Sequence, residues 1–235
     1  MPLAVSGATT VTDGMFVVNG SLASSSLTVG ANATLGGTGT IAGDTTIDGT
    51  HSPGNSPGIQ SFGGNLTYNA GSSVNWELSS NTTVNADNPN AIFDTVVVAG
   101  NLSFNGRTDL NLSFKPVGGN VIWSDPFWQT GKTGTYGWLV YDVAGTISGF
   151  SNNMFSNLHL VTANWQDSKG NFFDSMLTNS AFFLYQDSGK IYLDYTISTV
   201  TTPEPSSGVA MAVVAVLGGA VLLVRRRSRQ ASEIL

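Results

Sequence analysis

The 235-residue sequence contains no cysteine, which excludes disulfide bridges, thiol nucleophiles and Cys-ligated metal. Charge is scarce too: Asp, Glu, Lys and Arg together make up 10% of the residues. Before Pro203 there are five basic residues (Arg107, Lys115, Lys132, Lys169, Lys190) against 13 acidic ones. That part of the chain lacks the clustered Lys and Arg that nucleic acid or anionic lipid requires, so no nucleic-acid partner is expected. The only two histidines, His51 and His159, stand apart in sequence. There is no nucleophile elbow, phosphate-binding loop, dinucleotide fingerprint or zinc-binding helix motif, and neither a cofactor nor a metal is expected. Residues 1–10 lack the basic and apolar regions of a secretory leader, so an exported protein of this kind is expected to carry its leader upstream.

What is abundant is Gly, Ser, Thr and Asn, set between very short apolar or β-branched alternations. Such alternations occur at 16–18, 26–29, 33–35, 39–41, 45–47, 65–68 and 74–78, and helical periodicity fails throughout. Strands this short, each followed by turn residues, suit a stack of rungs in which neighbours supply the core that no single rung could bury. His51 lies at a strand end and reads as a surface residue. Asp44 and Asp48 bracket one short strand and read as turn caps. Two good strands around a turn are expected over 92–104, and a third over 110–114.

The chain's one long apolar run, Val209 to Val224, holds 16 residues without a charge and is followed by Arg225, Arg226, Arg227 and Arg229. As a helix it would extend about 24 Å, the short limit of a bilayer span. The arginines would act as a stop-transfer cluster held in the cytoplasm, leaving the preceding residues outside. A single transmembrane helix over 208–224 is therefore expected, with Val209 and Val224 bounding the anchor. Pro203-Glu204-Pro205, followed by small residues, this run and the terminal arginines, resembles the PEP-CTERM sorting signal of Gram-negative bacteria. The resemblance covers 203–229 and implies an exosortase-like membrane transpeptidase as partner, with Pro203, Glu204 and Pro205 as its recognition site. It also implies residence in the membrane before processing, and at the cell surface or outside the cell afterwards. Six residues follow the arginines, a departure from the simplest form of the signal.

A second resemblance lies in Gly36-Gly37-Thr38-Gly39-Thr40-Ile41 and, after a short strand, Pro53-Gly54-Asn55-Ser56-Pro57-Gly58. Over 35–62 the chain is similar to the autotransporter-associated β-strand repeat, and Phe93-Asp94-Thr95 with its valine run and Gly100-Asn101-Leu102 fits the continuation of that family. The resemblance implies a right-handed parallel β-helix in a secreted or surface-displayed region. The Pro-Gly steps make sense as turns, with proline setting the first central φ and glycine the positive φ that follows.

From residue 121 onward the composition changes. Trp123, Trp128, Trp138 and Trp165 all fall there, with ten Phe and Tyr side chains before residue 192. This region suggests larger rungs or a sheet that closes the stack. The expected fold class is therefore all-β: a right-handed parallel β-helix over 1–118, an aromatic-rich β continuation or cap over 119–200, and one C-terminal transmembrane helix. The expected function is that of an exported structural or interaction protein of the cell surface or extracellular matrix, with exopolysaccharide as a further partner. A carbohydrate-binding module using exposed ring pairs within 121–197 is the alternative. A polysaccharide hydrolase or lyase is less favoured, because its paired carboxylates should align across adjacent rungs and the acidic residues here occur singly. An enzyme is not expected.

Overall fold

The computed structural model describes residues 7–129, 137–152, 156–161, 165–173 and 181–196. The chain divides into two compact units, Met1–Thr199 and Val200–Leu235, and the second lies outside the described residues. The first unit opens with β1 (Ala8–Val17) and then advances in rungs of three strands. The first rung is β2 (Ser21–Leu22) with β3 (Ser26–Gly37), a single long strand that serves two legs. The second is β4 (Thr40–Ile41), β5 (Asp44–Ile47) and β6 (Thr50–Pro53). The third is β7 (Ile59–Phe62), β8 (Leu66–Tyr68) and β9 (Ser73–Glu77), and the fourth is β10 (Thr95–Val98), β11 (Leu102–Phe104) and β12 (Thr108–Ser113). After the one-turn helix α1 (Pro126–Gln129) come β13 (Trp138–Val143), β14 (Ile147–Ser148) and β15 (Leu158–Leu160), and then the hairpin β16 (Ala181–Asp187) and β17 (Lys190–Thr196).

Corresponding legs pair in parallel from rung to rung. One sheet of ten strands follows β14-β11-β8-β5-β3-β6-β9-β12-β15, with β1 beside β3; the other, of seven, follows β16-β17-β13-β10-β7-β4-β2. Pairing carries side chains of like polarity into columns. Leu22, Ile41, Phe62, Val98 and Val143 are successive register partners and are all buried, as are Val29, Ile47, Tyr68 and Phe104. Because strand side chains alternate between faces, the other residues of each strand point outward. The ladders end where β17 runs antiparallel to β13 and β16 antiparallel to β17.

This architecture corrects the expected fold class. The described residues are mostly β and form two sheets, the second of which closes with antiparallel strands. Among the described residues no helix is long and apolar enough to cross a membrane, and α1 spans only four residues. The expected transmembrane helix, and the membrane localisation that depended on it, therefore have no counterpart in the described structure. The stretch 208–224 itself lies outside the described residues. A smaller correction concerns 26–29 and 33–35, which form one strand, β3, and not two.

The corners explain why the rungs hold register. From the second rung onward, each enters the larger sheet through Gly43-Asp44, Gly64-Asn65, Gly100-Asn101 or Gly145-Thr146. The Oδ1 of Asp44 accepts the Asn65 N–H at 2.8 Å, that of Asn65 the Asn101 N–H at 2.9 Å, and that of Asn101 the Thr146 N–H at 2.9 Å. A second ladder runs from Asp48 Oδ1 to Asn69 Nδ2 at 2.7 Å and from Asn69 Oδ1 to Asn105 Nδ2 at 3.2 Å. Asp44 and Asp48, expected to cap their own turns, instead bond across to the next rung. Close stacking leaves no space for a side chain at the first corner position: a Cβ on Gly100 would lie 2.7 Å from both Asn65 Oδ1 and the Gly64 carbonyl oxygen. Gly100→Ala is expected to lower the unfolding free energy by about 1–3 kcal/mol through overpacking. Gly20→Ala, where nothing lies within 4 Å of the added carbon, should stay within about 0.5 kcal/mol. Urea unfolding of the two variants checks both figures.

Candidate functional site

The residues expected to carry sorting, Pro203, Glu204 and Pro205, lie outside the described residues. So do the expected anchor limits Val209 and Val224 and the stop-transfer arginines Arg225, Arg226, Arg227 and Arg229. What the structure brings together instead is a polar node inside the rung stack, a carboxylate that locks the Pro-Gly turns, and two open grooves on the outside.

The node centres on His51. Its strand β6 alternates outward Thr50, inward His51, outward Ser52 and inward Pro53, so the ring is fully buried and not on the surface as the sequence suggested. It takes the column position filled by Leu35 in the rung before and Val74 in the rung after. Gln60 Nε2 donates to the Gly36 carbonyl at 3.0 Å, which can only accept, so Gln60 Oε1 faces His51 Nε2 at 2.7 Å. That oxygen requires the hydrogen to sit on Nε2. His51 Nδ1 is then bare and accepts the Tyr68 hydroxyl at 2.6 Å. Tyr141 lies edge-on to Tyr68, with ring centroids 6.2 Å apart, and its buried hydroxyl has no hydrogen bond of ordinary geometry although the two phenols interact. Burial pushes both phenols above their usual range, and drives His51 down to about 4 against the opposing hydrogen bond from Gln60.

Asp94 is also fully buried. Its Oδ1 accepts the Gly58 N–H at 2.7 Å and its Oδ2 the Glu77 N–H at 2.9 Å, while its own carbonyl accepts Trp76 Nε1 at 2.6 Å. Asp94 thus ties the 53–58 turn to the end of β9 through its carboxylate, and to the tryptophan inside through its backbone carbonyl. Gly54 takes the positive φ of 87° expected of the Pro-Gly steps, whereas Gly58 does not. Burial holds the Asp94 carboxyl well above the usual range, in spite of the two backbone donors. Asp167 shows the opposite balance: burial raises its carboxyl, but donors from the Asn171 side chain and from the backbones of Asn171, Trp123 and Lys169 outweigh this and lower it. Like Asp94, it closes a loop.

Neither node has access to a substrate, since His51, Asp94 and Asp167 are all 0% exposed. Among the described residues no group of three or more His, Asp or Glu could hold a metal ion. The aromatic region packs mostly inward: Phe114, Trp123, Trp128, Trp138, Phe173, Phe182 and Tyr195 form one buried cluster, with Trp123 and Trp128 4.7 Å apart. Three rings instead face outward on the closing hairpin. Phe183 and Tyr185 lie 6.1 Å apart, and Tyr185 stacks on its cross-strand partner Tyr192 at 5.2 Å and 17°. One groove, of about 370 Å³, lies on the outer face of the seven-stranded sheet beside Tyr192. The other, of about 310 Å³, is lined by Phe150, His159 and Phe183 among others.

Alternation through β6 was the signal that could have placed His51 inside. No sequence pattern reveals the 36-residue reach from Asp94 to Gly58, because it depends on rung length. Compared with known proteins, the chain matches no family model and no curated relative.

The node sets a pH dependence. Folded His51 titrates near 4 and the unfolded residue near 6.5, so the unfolded chain takes up the proton first. Its contribution is complete above pH 6.5 and is lost as pH falls towards 4, by about 3 kcal/mol. Asp94 acts with the opposite sign, since a raised folded pKa favours the folded state as its carboxyl protonates. Comparison with His51→Leu separates the two: that variant should be less stable at pH 8 by about 1–3 kcal/mol, with Tyr68 and Gln60 left unpaired, and should lose the His51 slope between 6.5 and 4. Chemical unfolding at a series of pH values checks this.

Proposed function

We propose that the chain is an exported structural or interaction protein of the cell surface or extracellular matrix. The observation that supports this best is where its polar groups are used. Asp44, Asn65 and Asn101 hold one rung to the next, Asp94 and Asp167 close turns, and His51 sits sealed in the core. These side chains are thus built into the frame, and the outer faces are left for contact with partners. A low-charge surface rich in Ser, Thr and Asn suits a hydrated polysaccharide matrix, and exopolysaccharide belongs to this reading as a partner.

Sorting forms its second half. In this proposal an exosortase-like transpeptidase recognises Pro203-Glu204-Pro205, where the two prolines lack backbone donors and favour an extended chain that fits a protease-like groove. Intact mass of the full chain, co-expressed with such an enzyme, tests the proposal. The wild type should be shortened near Pro205, and a variant with all three residues replaced by alanine should remain whole. Full-length chain in both cases would remove sorting from the reading.

A further inference from the structure

The groove on the outer face of the seven-stranded sheet has a definite chemical make-up. Its floor is apolar: Ile59, Val97 and Leu139 project outward from β7, β10 and β13, which are neighbours in the sheet. The stretch before β10 forms one wall, and Asn85 fixes it there by donating to the Phe93 carbonyl at 2.8 Å and accepting the Ile92 N–H at 2.7 Å. Tyr192 forms the other wall. Tyr185 covers one face of its ring, so the ring is fixed in place by stacking while the rest of its surface lines the groove. At the rim Asp142 Oδ2 meets Lys190 Nζ at 2.6 Å, with both side chains about two-fifths exposed, at 41% and 39%.

An apolar floor with a rigid aromatic wall matches the C–H faces of a pyranose ring, and a neighbouring carboxylate and ammonium match its hydroxyls as acceptor and donor. An excess of acidic over basic residues in this part of the chain disfavours a polyanionic glycan. We propose that this groove binds neutral polysaccharide, stacking sugar rings on Tyr192 and the Val97–Leu139 floor and engaging hydroxyls through Asp142 and Lys190. The inference rests on the reading of the chain as a matrix protein and names the class of ligand it would hold.

The test is isothermal titration of the full chain with cellohexaose, laminarihexaose and mannohexaose as neutral probes and hexagalacturonate as an anionic one. At least one neutral probe should bind. Tyr192→Ala and Val97→Trp, which remove the ring wall and fill the floor, should each weaken that binding by about fivefold or more. Phe183→Ala, in the other groove, should leave it unchanged. Val97 faces outward from β10, so its variant keeps the test decisive if Tyr192→Ala loosens the hairpin; thermal melting reports whether each variant is folded. Binding of none of the neutral probes, binding of hexagalacturonate alone, or folded Val97→Trp binding like wild type would overturn the assignment. Sensitivity to Phe183→Ala in place of Val97→Trp would overturn it too. A failure here with Gly100→Ala still destabilising, and wild type still cut near Pro205, rejects the groove and leaves the structural reading in place.

Discussion

The structure depends on one repeated contact: a side-chain oxygen at a corner accepts the backbone N–H of the next rung. Parallel strands of two to four residues bury little by themselves, and a register slip of one residue would turn every inward side chain outward. The Asp44–Asn65–Asn101–Thr146 line prevents this, since each donor can reach its acceptor only when the rungs sit directly above one another. The condition is strict because the glycine beside each acceptor leaves no spare volume. Interior columns then follow from register, with Leu22, Ile41, Phe62, Val98 and Val143 meeting because the corners already align.

The buried polar groups fit the same logic. A histidine in an aliphatic column would be costly if unpaired. His51 is tolerated because its neutral tautomer has a partner at each nitrogen, supplied by Tyr68 and Gln60 from the following rung. Asp94 performs a similar service for a turn, accepting one backbone N–H from the Pro-Gly segment, at Gly58, and one from the end of β9, at Glu77. Both groups trade desolvation for uniqueness of register.

Strand existence was largely legible because alternation is a local property. The expected 45–47, 65–68 and 74–78 alternations lie within a residue of β5, β8 and β9. The expected strand beginning at 92 starts at Thr95, because Asp94 is drawn into the 53–58 turn instead. Properties that need the rung period were not legible. The inward side of His51 follows from the alternation through β6, but that its column neighbours are Leu35 and Val74 depends on the rung period. The division of the late aromatics into buried Trp138 and outward Tyr192 depends on how an antiparallel hairpin lands on β13, which no local pattern encodes.

The rung period is not constant, and this has a consequence for how such a chain can change. Along the corner ladder the partners are separated by 21, 36 and then 45 residues, yet the hydrogen bond between them is the same. The second and third intervals take up their extra length mainly before β10 and before β13, outside the corners that hold register. New sequence can therefore be added at that seam without moving a single column. A lineage could vary those excursions, and with them whatever its outer wall touches, while inheriting the frame unchanged.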